Sequence, residues 1–314
     1  MILTRSILLG VLSFCTWSLL AQQESLRMVY PFIPLSINPA EAGSKGVASV
    51  TGIFRRKPLF QQGGATVSSQ QYFSFDMPIR QEQWGIGFLA YNTDQSYGPL
   101  GGGIAANLGL AGLVAKRFVI GKGQGLQLGL NLGLNQYPVL GRNGTSEFGG
   151  SIGFGIAYQY EKLELGISRP TQSLRSLEWT NPNPIYARIG YQLSPGQGNL
   201  LKLGALMRQQ YSETRFDLNA VFWWQEKFGL GIWWQNTGSE FSNEALLGSI
   251  EVPFGRNFRV GYAYDFLGKN SVYLSPGTTN TGTSSTQTAV SAFHQIFMRY
   301  EIDLGNGKIA NFRP

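Results

Sequence analysis

The chain has 314 residues and a formal net charge of +7, yet only 14% of it is charged, and its 41 glycines are about twice the usual share. Its single cysteine, Cys15, lies in an N-terminal apolar run, so a chain cleaved after that run has no disulfide, zinc-thiolate site or thiol nucleophile. A basic exported chain suits anionic lipid or acidic partners, and export argues against nucleic acid as a ligand.

Arg5 precedes apolar residues from Ile7 to Leu20, and Ala21 closes the run, so residues 1–21 read as a signal peptide. A lipoprotein signal ending at Cys15 is the poorer reading, because bulky Phe14 occupies the position that requires a small residue. Removing the leader takes away Arg5 alone and lowers the net charge from +7 to +6. Residues 22–45 follow as an N-terminal segment containing "YPFIPLSINPAEAG", which reads as extended and Pro-rich. Its Asn38-Pro39-Ala40 matches the tripeptide of water channels, but those carry two copies among six membrane helices. Here there is one copy and no candidate helix: Gly101 to Ala115 is uncharged, but it holds five glycines and is shorter than the roughly 20 apolar residues a bilayer requires.

A chain that crosses a membrane without helices must cross as a closed β-barrel, since only closure satisfies every backbone N–H and C=O in hydrocarbon. The segment "GLQLGLNLGLN" supports this: Leu126, Leu128, Leu130, Leu132 and Leu134 alternate with Gln127, Gly129, Asn131, Gly133 and Asn135. The same period of two recurs from Arg215 to Trp224, from Phe258 to Phe266 and from His294 to Ile302, with Asp217, Arg259, Asp265, Arg299 and Glu301 all on the face opposite the apolar one. Charge toward lipid is costly, so the apolar face is the outer one. Candidate strands begin near Val47, Thr66, Gln83, Ile104, Gly125, Glu147, Leu163, Tyr186, Asn199, Arg215, Phe228, Asn243, Phe258 and His294. The expected fold is therefore an all-β, up-and-down antiparallel barrel of fourteen strands over residues 46–303, with a tail at 304–314.

Connections after even strands are tight ("GKGQG", "YEK", "LSPGQG", "QEK", "PFGRN"), and those after odd strands are mostly long, above all Gly268 to Phe293. Short periplasmic turns and long external loops produce this asymmetry, which predicts a periplasmic N-terminus. The segment before the first strand is then expected at the periplasmic mouth or in the lumen, with Pro39 fixing its backbone and Gly43 allowing the turn into strand one. Trp84, Trp179, Trp223, Trp224, Trp233, Trp234, Tyr158 and Tyr160 fall near strand ends and read as interfacial girdles.

Reactive chemistry is sparse. His294 is the only histidine; a hydrolase could use it as a base, but there is no Gly-x-Ser-x-Gly and no telling pair of carboxylates, so a structural role at the barrel rim is the better reading. "GKGQG" lacks the Lys-Ser/Thr ending of a phosphate loop, and no acidic cluster has calcium-loop spacing. The Ser/Thr-rich stretch Ser275 to Ala292 reads as a mobile external loop. No cofactor, metal site or enzymatic activity is expected. A general solute porin or transport channel remains the alternative function, since a barrel of this size has room for a pore.

The order of several short motifs adds a resemblance. Asn38, Pro39, Ala40, Ala42 and Gly43 in "INPAEAG" are followed by "SFDMP" with Asp76 and Pro78, and by "YNTDQSYGPL" with Asp94 and Gly98. Then come "LELGISRPTQSL", "VGYAYDF" with Tyr262, Tyr264 and Asp265, and "FHQIFMRYEI" with His294. In this arrangement the chain resembles the PorP/SprF family, outer-membrane proteins of the type IX secretion and gliding machinery of Bacteroidetes. Glu41 stands where the family usually has an aromatic residue, and Gln295 where it has an acidic one. The resemblance implies a non-enzymatic barrel, integral to the bacterial outer membrane and bounded by its lipids. It further implies as partners a secreted adhesin, a periplasmic peptidoglycan-binding lipoprotein and the ring and translocon of the secretion system.

Overall fold

Strands that alternate apolar and small or polar residues must find two different solvents, one for each face. The computed structural model shows how this is achieved. It describes residues 29–61, 64–80, 82–96, 104–138, 146–173, 184–196, 198–210, 213–236, 244–266, 271–279, 282–290 and 293–302. In chain order the strands are β1 (Ala48–Gln61), β2 (Gly64–Ile79), β3 (Trp84–Ser96), β4 (Ile104–Gly121), β5 (Gln124–Pro138), β6 (Ser146–Tyr160), β7 (Leu163–Ser173) and β8 (Ile185–Gly196). They continue as β9 (Asn199–Gln210), β10 (Glu213–Trp224), β11 (Phe228–Asn236), β12 (Glu244–Phe254), β13 (Phe258–Asp265), β14 (Ser271–Thr279), β15 (Gly282–Val290) and β16 (His294–Ile302).

Each of β1 to β12 pairs antiparallel with the next, β13 pairs with β16, and β16 returns to β1 in register from Ala48↔Ile302 to Arg56↔His294. The wall is thus a closed barrel of fourteen strands, β1 to β13 with β16. The strand starts expected from the sequence lie within two residues of those observed. One element departs from expectation: the stretch read as a mobile external loop contributes the hairpin β14–β15, and β15 joins β1 at Leu59↔Val290 and Phe60↔Ala289. β1 runs past the start of β16, so its edge would otherwise expose unpaired backbone groups, which β15 takes up. The stretch Ser275 to Ala292 is rich in Ser, Thr and Gly and carries no run of apolar residues at a period of two.

The faces are sorted as lipid requires. On β5, Leu128, Leu130, Leu132 and Leu134 are exposed, while Asn131 and Asn135 are buried in the lumen. On β16, Ile296, Met298, Tyr300 and Ile302 face outward, while Gln295, Phe297, Arg299 and Glu301 face inward. The tight turns between β4 and β5, β6 and β7, β10 and β11, and β12 and β13 all lie at one end of the barrel. Several of their residues take left-handed backbone, including Gly123, Glu161, Gln225, Glu226 and Gly255, as two- and three-residue hairpins demand. No helix among the described residues is long and apolar enough to cross a membrane.

Candidate functional site

Among the described residues a buried apolar cluster lies inside the barrel, around the segment that precedes β1. Val29, Tyr30, Phe32, Ile33, Leu35, Ile37 and Ala42 pack there against Trp223, Trp233, Leu206, Leu247, Phe293 and Phe297 of the wall. The sequence suggested an extended segment; instead it makes three short 3-10 turns, Tyr30–Phe32, Pro34–Ser36 and Pro39–Glu41, each with proline in its first turn. Proline needs no hydrogen bond there and its fixed φ suits a tight turn. Compact turns also let eighteen residues close on themselves across a lumen, which an extended chain of that length would overrun.

Seating is specific along the whole segment. Asn38 caps the last turn by accepting from the Ala40 N–H at 2.9 Å, and its Nδ2 donates to the Ile156 carbonyl at 3.0 Å. The Ser168 hydroxyl donates to the Ile37 carbonyl at 2.6 Å. Gly43 takes φ +67 to turn toward β1, and its N–H donates to Asp76. Asp76, fully buried, also accepts from Ser49 at 2.6 Å and forms an ion pair with Lys45 at 2.9 Å. At the other end, Asn219 donates to the Tyr30 hydroxyl at 2.6 Å, and Tyr30 meets Trp233 edge to face with ring centroids 5.8 Å apart. Phe32 packs on Phe297, and Arg299 donates to the Pro31 and Phe32 carbonyls at 3.3 and 3.0 Å.

Wall glycines make room for these contacts. A Cβ on Gly85 would overlap the Ala42 carbonyl, one on Gly129 would overlap Pro39 and Ala40, and one on Gly155 would overlap the Asn38 amide. Glu41 reaches Arg188 of β8 at 3.3 Å, and Arg188 also holds Glu164 at 2.9 Å. Burial pushes the Glu41 carboxyl above its ordinary value although Arg188 pulls it back, and burial pushes the Lys45 ammonium down against the pull of Asp76. Burial likewise raises the Tyr30 phenol. On the tight-turn side of the segment a cavity of about 660 Å³ remains, lined by Glu41, Lys45, Glu164, Arg188, Lys202 and Arg299 among others.

The structure thus brings Asn38, Pro39, Ala40, Ala42, Gly43 and Asp76 together, with Pro78 beside Gly43. Asp94 lies on β3 opposite Ala106, and Gly98 lies outside the described residues. Asp265 is buried in the lumen near the long-loop end of β13, where its N–H donates to the Phe293 carbonyl at 3.3 Å. Tyr262, Tyr264 and His294 sit on the outer surface: the Tyr262 hydroxyl is 2.6 Å from His294 Nδ1 and the Tyr264 ring lies 5.2 Å from the imidazole. His294 therefore faces lipid rather than a catalytic lumen.

Two of the tryptophans assigned to girdles belong elsewhere. Trp223 and Trp233 are fully buried in the lumen, whereas Trp224 is on the outer surface. The signal was available, because Trp223 is in phase with Asp217 and Asn219, but proximity to a strand end took precedence over phase. Strand phase puts Arg188 and Arg299 on the inner face, but nothing local shows that they grip the segment. Among the described residues no three His, Cys, Asp or Glu side chains gather as metal ligands.

Comparisons with known proteins agree with this architecture. A Pseudomonas aeruginosa FadL homologue is similar over 85% of this chain and 93% of its own, at 8% identity and a TM-score of 0.55. The Pseudomonas putida toluene transporter TodX is similar over 84% and 92%, at 8% identity and 0.52, and the monoaromatic hydrocarbon channel CymD over 86% and 93%, at 10% and 0.51. At these identities the likeness concerns the outer-membrane barrel fold. Comparison with curated protein sequences gives no match. The family described as "Type IX secretion system membrane protein PorP/SprF" matches residues 19–300. A closed barrel with a lipid-facing apolar wall, matched over nearly its whole length, places the chain in the bacterial outer membrane and in the PorP/SprF family of type IX secretion system membrane proteins.

Proposed function

We propose that this protein is a non-enzymatic scaffold of the type IX machinery, supporting export or surface anchoring of a cognate adhesin and contacting periplasmic machinery lipoproteins. The observation that carries this reading is the seated segment, residues 29–46, which lies across the lumen and is held by ion pairs, hydrogen bonds and wall glycines. A barrel built to pass solutes needs an open path, whereas one built to hold partners needs a rigid body with two addressable ends. In this reading the tight-turn end faces the periplasm, where the cavity beside Glu41 and Lys45 meets the lipoprotein partner, and the long-loop end faces the cargo.

Deleting the gene and comparing secreted and surface-bound cargo tests the proposal: loss of a particular surface protein is expected, and an unchanged profile overturns it. The competing reading, a solute porin or transport channel, is decided by planar-bilayer conductance. Silence is expected of the scaffold, and large steady currents from the intact protein would favour the channel.

A further inference from the structure

The outer wall carries a polar row at the long-loop end, where the barrel closes. Arg56 of β1 stands opposite His294 of β16, and His294 stands opposite Tyr264 of β13. Each is in phase with an exposed side chain of the lipid face two residues away: Phe54, Ile296 and Tyr262. Arg56 and His294 are exposed and Tyr264 is half-buried, and residues directly opposite on one face are near neighbours, so the three form a line. From His294, β16 descends to Ile302 beside Asn257 of a tight turn, with Ile296, Met298 and Tyr300 facing outward on the way. That stretch covers roughly 20 Å of height at the usual strand tilt, against an apolar band about 25 Å tall in such barrels. The row therefore lies where acyl chains give way to headgroups.

The polar groups of this row are left open. Among the described residues Arg56 has no ion pair, side-chain hydrogen bond or ring contact. A guanidinium on the lipid face is costly near the midplane and tolerated at the interface, where an anion can meet it. The Tyr262 hydroxyl is 2.6 Å from His294 Nδ1. With that hydroxyl donating, the imidazole proton sits on Nε2, a donor with no partner among the described residues. The Tyr264 ring lies 5.2 Å from the imidazole, and its hydroxyl also has no hydrogen bond among the described residues. Below the row, Gly52 stands between Phe73 of β2 and Met298 of β16, and a Cβ there would meet nothing within 4 Å. The two exposed side chains thus wall a shallow apolar groove on the outer face.

We propose that Arg56, His294 and Tyr264 bind the phosphomonoester headgroup of an outer-leaflet glycolipid, with an acyl chain lying in the groove at Gly52. A phosphomonoester brings close to two negative charges and three acceptor oxygens. The row offers it a planar guanidinium fork, an imidazole N–H and a phenol O–H. A carboxylate would bring one charge and two oxygens, and a neutral headgroup would leave the guanidinium without a counter-charge. A cation that merely snorkels needs only water; it does not call for two further donors in register on the adjoining strands. The inference takes from the proposed function only its orientation, with the long loops external.

The test uses the purified full chain in detergent, titrated with monophosphoryl lipid A and read by native mass spectrometry. Dephosphorylated lipid A, phosphatidylglycerol and excess inorganic phosphate serve as comparisons. Saturable binding of one monophosphoryl lipid A is expected, with both other lipids about tenfold weaker and little competition from inorganic phosphate. Arg56→Gln is expected to melt no lower than wild type without lipid, because its guanidinium holds nothing, yet to bind about tenfold more weakly. If that variant does not fold, His294→Phe gives the same comparison. Lys116→Gln removes an outward cation at the tight-turn end, stacked on Trp84 and Phe118, and should bind as wild type does. Unchanged binding in Arg56→Gln and His294→Phe, an equal loss in Lys116→Gln, or equal binding of either comparison lipid overturns the proposal. Displacement by inorganic phosphate would make this a site for the free anion, and an Arg56-dependent dimer would give the row to a second copy; either overturns it too. Protease cleavage of the long loops on intact cells checks the orientation separately: protection there overturns the leaflet, while Arg56-dependent binding upholds the headgroup site.

Discussion

Gly155 and Gly112 illustrate two uses of glycine in one wall. Beside Gly155 a Cβ would overlap the Asn38 amide, whereas beside Gly112 it would meet nothing within 4 Å. Gly155→Ala should therefore break both the Asn38 cap and its bond to Ile156, and lower stability by about 2 kcal/mol. Gly112→Ala should stay within about 0.5 kcal/mol of wild type. Denaturant unfolding in detergent checks both, and equal effects would mean that the segment is not seated in solution. Glu41 gives a second prediction. Burial raises its carboxyl above the ordinary value, so its contribution to stability is fully present below the unfolded pKa and lost as pH rises through the folded one. Glu41→Gln, which fixes the neutral form, should melt like wild type in acid and above it at neutral pH. A constant difference across pH would contradict this.

At the level of the element, β5 shows how phase alone assigns solvent. Leu130 faces outward and its neighbour Asn131 faces the lumen, where its Nδ2 donates to the Pro170 carbonyl at 2.9 Å. Leu130→Arg should cost about 2–4 kcal/mol near the bilayer midplane and reduce the heat-modifiable folded form on gels. The hydrophobic Asn131→Leu should leave membrane insertion intact, because it changes the luminal face only. Insertion failure in both would show that the two faces are not distinct. The strands, their starts and their faces were legible because a period of two over eight or more residues has no other common cause. The β14–β15 hairpin was not legible, since its pairing answers the unmet edge of β1 more than two hundred residues away.

For the whole molecule, the question is whether the luminal segment stays where it is seated. The Ala42 Cβ lies 3.5 Å from where a Cβ on Gly87 would be, within disulfide geometry. With Cys15 the only natural cysteine, a variant carrying Ala42→Cys and Gly87→Cys should cross-link cleanly under mild oxidation. Non-reducing electrophoresis after proteolysis reads the link. Planar-bilayer current should be equally silent before and after reduction; current that appears only on reduction would mean the segment leaves the lumen.

The sequence by itself determined the compartment, the fourteen-stranded wall, which face meets lipid and which family the chain resembles, because each follows from local periodicity or from ordered motifs. Only the tertiary structure decided that "YPFIPLSINPAEAG" folds as three tight turns within the lumen. It also decided that Trp223 and Trp233 form the luminal core with that segment, and that Arg188, Asp76 and the wall glycines receive it. The reason is physical: strand phase says which side a residue faces, but a closed barrel brings residues from many strands around one axis. What they meet there depends on closure, which no single stretch of sequence contains.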